Sequence, residues 1–378
     1  MNRTRLLAMM RKETIQIVRD PRSLAIVIVI PVLLLILFGY AVTLDVKNIP
    51  IAVLDRDGSR SSRDLLHEFT GSPTFSLRAN VRDEKEIERL IDQGDIWMGL
   101  VIPPRFGTDV AAGRAVSLQV ILDGTDSNTA LIVLGYARSV VARFSRSLQI
   151  DAVRRLGIPA PGAVIDPRIR VWFNEELESK NYIVPGLIAV IMAVIGALLT
   201  SLTVAREWER GTMELLISTP IGRAEIVAGK MIPYFVVGLL DVALAVAVGA
   251  VLFQVPLRGN FFLLALMSAL FLIAVLAQGF LISAVTRSQV LASQFALVTT
   301  FLPAFLLSGF IYAIANMPKA LQIITHILPA RYLVRILKVI YLKGLGLTVL
   351  AFDAAMLLLF SVVLSALCVK KIQKWVSA

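Results

Sequence analysis

Few residues in this sequence have the type and spacing to do chemistry. Residues 222–230 have the outline of a phosphate loop. However, six residues separate Gly222 from Gly229 where that loop has four, and Met231 stands where Ser or Thr would hold magnesium. His67 and His326 lie far apart and form no HExxH pattern, and with the single Cys368 they make no convincing zinc set. One cysteine also excludes an intrachain disulfide. No G-x-S-x-G nucleophile elbow occurs. The run Asp83-Glu84-Lys85-Glu86 reads as a solvated polar face. What remains is of two kinds. Asp241, Gln278, Gln294 and Asp353 sit inside long apolar runs, where a charge is a functional candidate by default. Their other reading is interhelical hydrogen bonding, including to a second copy of the chain. The second kind is a polar segment, 205–232, that packs Glu207, Glu209, Glu214 and Glu225 among Arg206, Arg210, Arg223 and Lys230. A segment that only joined two helices could be far shorter, so it reads either as membrane-interface packing or as a docking surface for a soluble partner.

The elements that position these residues are mostly membrane spans. The chain has 378 residues, 57% hydrophobic and only 17% charged, against roughly a quarter charged in soluble domains. The apolar residues gather in runs near the ~20 needed to cross a bilayer. Six such runs are expected at 24–44, 182–204, 233–253, 261–285, 290–312 and 348–369. The first is too long for a signal-peptide core and lacks a cleavage site, so it is read as retained. The net charge of +11 flanks these runs, as the positive-inside rule expects, and that placement excludes a nucleic-acid partner. Arg3, Arg5, Arg11, Lys12, Arg19 and Arg22 put the N-terminus inside, and six crossings return Lys370 and Lys371 to the same side. Residues 45–180 are then outside.

Before the first span, 1–23 reads as an amphipathic cytoplasmic helix. Leu6, Met10 and Ile17 share one face, and Arg3, Arg11 and Lys12 favour lipid headgroups. The block 45–180 reads as a folded α/β domain. Strands are expected at 49–54, 97–102, 116–122 and 169–173, and helices at 61–70, 83–93 and 126–156. Asp83 caps the second helix with Glu86 three residues on. Residues 313–347 resist the positive-inside rule, because they hold Lys319, Arg331, Arg335, Lys338 and Lys343 yet count as outside. Either a span is miscounted, or the segment is an outward-facing hairpin. Pro318 and Pro329 cut it into pieces too short to cross, which favours the hairpin. Leu321, Ile324 and Ile327 are then expected to face the bundle, with Lys319, Arg331 and Lys343 near outer headgroups.

The polar segment 205–232 resembles the signature of ABC-2 type permeases, the membrane subunits of ATP-binding cassette exporters. Its E-x-E-x-G-T-x-E-x-L-x-x-T-P pattern is Glu207, Glu209, Gly211, Thr212, Glu214, Leu216, Thr219 and Pro220, with Leu215 the neighbouring register for the leucine. The similarity continues in Arg11-Lys12-Glu13, Val184-Pro185-Gly186, Leu307-Ser308-Gly309-Phe310 and Leu328-Pro329-Ala330-Arg331-Tyr332. The large outer insertion is similar to that of the bacterial drug-efflux branch.

The resemblance implies an ABC-2 permease-type fold. That is a membrane all-α bundle of six transmembrane helices, with an inserted extracytoplasmic α/β domain and a re-entrant helical hairpin between spans five and six. It implies a permease subunit, not an enzyme, in the bacterial inner membrane with both termini cytoplasmic. No cofactor is expected in this chain, ATP and magnesium belonging to a partner ATPase. That cytosolic ATPase would couple through 205–232 and through Arg11, Lys12 and Glu13. A second permease completes the pathway, with room for a periplasmic adaptor protein, and Pro329, Arg331 and Tyr332 form an outer gate. The cargo implied is a hydrophobic small molecule or drug moving outward. The rival reading is an ion- or proton-coupled secondary transporter using Asp241 and Asp353, against which stand the elaborate polar loop and the lack of an internal repeat.

Overall fold

The computed structural model describes residues 2–41, 48–155, 173–174 and 178–376. The chain divides into two units, Leu44–Ile169 and the remainder, Met1–Thr43 with Arg170–Ala378.

In the first of these, β1 (Ile49–Asp55) is followed by α3 (Arg60–Thr70), β2 (Phe75–Asn80), α4 (Glu84–Asp92), β3 (Met98–Ile102), α5 (Phe106–Ala111), β4 (Gln119–Leu122) and α6 (Ser127–Arg155). The strands form one sheet in the order β2-β1-β3-β4. β1 runs parallel to β2 and β3, while β4 is antiparallel to β3. β1 and β3 are buried on both faces, as central strands covered by helices must be. Ile49, Ile51 and Val53 pack with Leu65 and Phe69 of α3 and Val140 and Phe144 of α6. Ala52 and Leu54, pointing the other way, pack with Ile87 of α4.

The turn after β1 closes on Asp55, whose Oδ1 accepts from the backbone N–H of Asp57 and Gly58 at 3.0 Å each. Of the capping box expected at α4 the N-cap half is present, and the return bond from Glu86 goes to Arg82, one residue before the cap. Asp83 Oδ1 accepts from the Glu86 N–H at 2.8 Å, and Glu86 Oε2 accepts from the Arg82 N–H at 3.2 Å. β2 was not expected from the sequence. It is an edge strand with little buried beyond Phe75, so its sequence Phe-Ser-Leu-Arg-Ala-Asn carries no clear apolar alternation. β4 is shorter than the expected 116–122, and most of the strand expected at 169–173 lies outside the described residues.

The other unit is helical: α1 (Arg3–Arg19), α2 (Pro21–Ala41), α7 (Ser179–Glu209), α8 (Thr212–Ile217), α9 (Arg223–Val251), α10 (Phe261–Thr286), α11 (Gln289–Ala296), α12 (Leu302–Leu306), α13 (Lys319–Ile324), α14 (Pro329–Lys338) and α15 (Leu347–Val376). Five described helical stretches are long and apolar enough to cross a membrane: α7, α9, α10, Gln289–Leu306 and Leu347–Ile372. α2 has 21 residues and a shorter apolar part, Ile28–Tyr40. α7 is the centre of the unit, buried over nearly its whole apolar length and packed on α2, α9, α10, α11 and α14. Its approach to α10 is close because Gly279 has no side chain. A Cβ there would stand 2.3 Å from the Ala197 carbonyl oxygen. Thr200 Oγ1 then donates across the gap to the Leu276 carbonyl at 2.9 Å.

Residues 313–347 hold two short helical pieces, α13 running on to Ile327 and α14 running on as a π-helix to Lys343, and neither reaches crossing length. Their buried side differs from expectation. Ile324 and Ile327 are 46% and 71% exposed, while Tyr332, Leu333, Ile336 and Leu337 of α14 face the core. The apolar period of α14 outweighs the isolated isoleucines before it.

Ile87 rests directly on the sheet, since a Cβ at Gly99 would meet its Cγ2 at 2.3 Å. We expect Ile87→Ala to cost about 2–5 kcal/mol. Pulse proteolysis of the full-length protein in urea should then show earlier cleavage within 48–155.

Candidate coupling site

Four charges meet where α1, α7 and α9 converge. Glu13, on the buried face of α1 with Met9 and Ile17, is fully enclosed. Lys230 of α9 reaches its Oε1 at 2.8 Å and also pairs with Glu207 near the end of α7. Lys12 bridges the same two carboxylates, at 3.2 Å from Glu13 and in direct contact with Glu207. The Tyr234 hydroxyl donates to Glu13 Oε2 at 3.4 Å. Glu13, Glu207 and Lys230 are each at most 3% exposed, so the charges must neutralise one another. Two acids and two bases do so. Burial pulls the Lys12 ammonium down, but Glu13 and Glu207 outweigh it and hold its pKa above the usual lysine value.

A second set of bonds ties the neighbouring ends. Asp20 accepts from Arg206 at 2.6 Å, and Arg206 Nε donates to the Gln289 side chain at 3.3 Å. The Gln289 backbone N–H donates to Glu209 at 2.7 Å. Arg287 lies 4.6 Å over the Trp208 ring. At the start of α9, Glu225 accepts from the backbone N–H of Gly222 at 2.8 Å and of Asn2 at 2.5 Å. Arg5 donates to the Pro220 carbonyl. α1 therefore lies along the polar segment, and its buried face rests on α9. The face expected to meet lipid headgroups is in part this protein contact.

The polar segment itself divides cleanly. Gly211 takes φ +68, a left-handed turn that separates α7 from α8 and that glycine adopts without strain. Thr212 Oγ1 donates back to the Glu207 carbonyl at 3.3 Å, and Thr219 Oγ1 to that of Leu216 at 2.6 Å. Met213 is buried and Leu216 half-buried, so α8 is pinned on one side. Glu214, Leu215, Ser218, Thr219 and Pro220 face outward, Leu215 at 68% exposure. Arg11 is likewise exposed on α1.

The remaining sequence candidates sit elsewhere. Asp353 is buried and lies 3.4 Å from Arg335. Asp241 is buried, and its Oδ1 has no hydrogen-bond partner among the described residues. Gln278 is half-buried and Gln294 exposed. At the other end of α7, the Tyr182 hydroxyl and Lys338 Nζ both donate to the Gly309 carbonyl, at 3.2 and 2.7 Å. Pro329 opens α14, the Tyr332 hydroxyl donates to the His326 carbonyl at 3.0 Å, and Arg331 holds Thr325 and the Gln322 carbonyl. Lys230, Tyr234, Asp20 and Gln289 were missed as members of the inner cluster. Lys230 and Tyr234 carried a signal, a lysine and a tyrosine four residues apart at the head of an apolar helix, hence on one face.

The profile of the ABC-2 family transporter protein matches residues 21–370. The chain belongs to the ABC-2 family. It is 40% identical over 342 residues to the probable multidrug ABC transporter permease YbhS of Escherichia coli K12, covering 90% of this chain and 89% of that protein. It is 33% identical over 347 residues to YbhR of the same organism, also a probable multidrug ABC transporter permease, covering 91% and 92%. The inner membrane transport permease YhhJ is 28% identical over 301 residues, 79% of this chain and 78% of that one. With its apolar helices, this ABC-2 permease is a multi-pass inner-membrane protein. Permease subunits of this kind are not themselves enzymes, the ATPase being a separate subunit.

Lys230→Met should leave Glu13 and Glu207 short of one countercharge and destabilise this ABC-2 permease by about 3–5 kcal/mol. Adding Glu13→Gln restores neutrality and should recover most of that loss. A double-mutant cycle on unfolding in detergent checks it; equal stability of the single and double variants would refute the pairing.

Proposed function

We propose that this chain is the permease half of an ATP-driven exporter. It moves a hydrophobic small molecule outward across the inner membrane, coupled through 205–232 to a separate cytosolic ATPase that holds the ATP and magnesium. The observation that carries this reading is the division of the polar segment. Glu207, Glu209, Glu225 and Lys230 are engaged in bonds within the chain, and Glu214, Leu215 and Ser218 are left outward on a helix that is otherwise pinned. A fixed helix with an exposed leucine beside a carboxylate suits docking on a soluble partner. Arg11 on α1 adds a second contact. The multidrug names of YbhS and YbhR support a drug-like cargo.

α7 is the natural transmitter. Its 31 residues make a rod of about 46 Å, with the buried charge cluster at one end and Tyr182, which bonds Gly309, at the other. Closure of the ATPase would move α8 and α1, and through them α7 and the α13–α14 hairpin. Transport work requires the cargo to bind the inward and outward states differently. In this arrangement α2 is the first of six crossings, both termini are cytosolic and 45–180 is periplasmic. The hairpin is re-entrant and closes the outer end, with Pro329, Arg331 and Tyr332 at the gate. A second permease completes the path, and a periplasmic adaptor has the α/β unit to bind. The ion-coupled alternative draws on Asp241, buried with an unpartnered oxygen; Asp353 already has Arg335.

Leu215→Asp and Glu214→Lys change only outward side chains. In proteoliposomes holding the permease and its ATPase, each should cut ATP-driven export at least tenfold while leaving the protein folded. Full export by both variants together would reduce 205–232 to interfacial packing, and gradient-driven transport by the permease alone would favour Asp241. For topology, Lys85→Cys should react with a membrane-impermeant thiol reagent in intact spheroplasts and Ser218→Cys only after lysis; the reverse order would place the α/β unit in the cytosol.

A further inference from the structure

Within the helical unit, a cavity of about 360 Å³ opens between α7, α10, α15, the Gln289–Leu306 stretch and the head of α14. Its size falls at the small end of ligand pockets. Phe271, Val275, Ala304, Phe360 and Leu364 make apolar walls, and Ile327 and Leu328 stand at the hairpin side. Among the described residues no charged side chain lines it. Three neutral polar side chains do, Gln278, Thr299 and Thr300, and the Thr299 hydroxyl is taken by the Phe295 carbonyl. Gln278 makes no hydrogen bond with a described residue, and Thr300, 6% exposed, has an unpartnered hydroxyl.

The unpartnered threonine stands apart from the others in the apolar helices. A threonine in an apolar helix ordinarily returns its hydroxyl to the carbonyl four residues back. Thr200, Thr203, Thr286 and Thr299 all do so, at 2.7–3.2 Å. Thr300 does not, although Thr299, its neighbour in the same π-helical turn of Leu297–Phe301 ahead of Pro303, keeps its bond. A buried hydroxyl left unpaired is costly, and a π turn held next to a cavity is a frequent mark of a binding site.

We infer that this cavity binds an uncharged, hydrophobic small molecule through one carbonyl, hydroxyl or amide group, hydrogen-bonded by Thr300 and Gln278. Walls without a countercharge make an ionised ligand expensive to seat, so the site discriminates by charge before shape. Its assignment as a cargo site rests on the export reading; binding itself does not.

The test uses the full-length permease alone in phospholipid nanodiscs, without ATPase or ATP, so its failure is separate from failure of the export reading. Benzophenone, neutral and with a single carbonyl, is photo-crosslinked and its adducts mapped by peptide mass spectrometry. Adducts should concentrate on Val275, Ala304, Leu328 and Leu364, and the charged analogue 4-benzoylbenzoate should label these positions at least tenfold less. Leu364→Trp, which fills the cavity, should lower labelling at least fivefold, and Thr300→Val with Gln278→Leu severalfold. Should a variant fail to fold, the comparison of neutral and charged probes on the native chain decides alone. Adducts confined to the outward-facing Leu302, Leu359 and Val363, or equal labelling by both probes, would overturn the inference.

Discussion

Two buried carboxylates and two ammonium groups, meeting at Glu13, Glu207, Lys12 and Lys230, constrain everything around them. Charges removed from water survive only where each faces an opposite charge in good geometry. The cluster therefore fixes three elements at once: the register of α1 on α9, the end of α7, and the head of α9. Once α7 ends there, Gly211 must turn the chain and α8 must emerge where it does. A motif with many acids thereby becomes a rigid frame bearing a small outward face. Its pattern of charges is mostly architecture, and the residues able to meet a partner are the plainer ones between them.

The same helix carries a different kind of lock at its other end. There the bonds are neutral or singly charged, with Tyr182 and Lys338 converging on one carbonyl, Gly309. Such contacts cost less to break than a cluster of four charges, three of them buried. A rod held stiffly at one end and lightly at the other moves first at the light end. That asymmetry suits the drive from the α8 end proposed above, and it follows from which side chains can be buried together.

Much of this was legible in the sequence where one local rule decides. The apolar runs located the long helices, since length and composition suffice for them. Asp83 gave the start of α4, because an N-cap needs only the backbone N–H three residues on. Gly211 and Pro220 bounded α8. Other features depend on neighbours far along the chain. β2 is an edge strand held by backbone pairing to β1, so its side chains hardly report it. Lys230 read as part of a failed phosphate loop, and its true partner Glu13 lies more than two hundred residues away. Glu207 and Glu209 read as docking charges, and their bonds to α1 and Gln289 come from residues far along the chain. The π turn at Leu297–Phe301 leaves no compositional trace beyond Pro303, and the exposure of Ile324 and Ile327 is settled by the stronger apolar face of α14.

The central claim is that α8 meets the ATPase while the charges behind it do not. Cysteine substituted at Leu215 or at Met213, in the permease assembled with its ATPase, tests this by crosslinking with a short thiol-to-amine reagent; the native Cys368 is buried. The account predicts an efficient permease–ATPase adduct from the exposed position 215 and none from the buried position 213. Absence of any adduct from 215, with the complex intact, would contradict it.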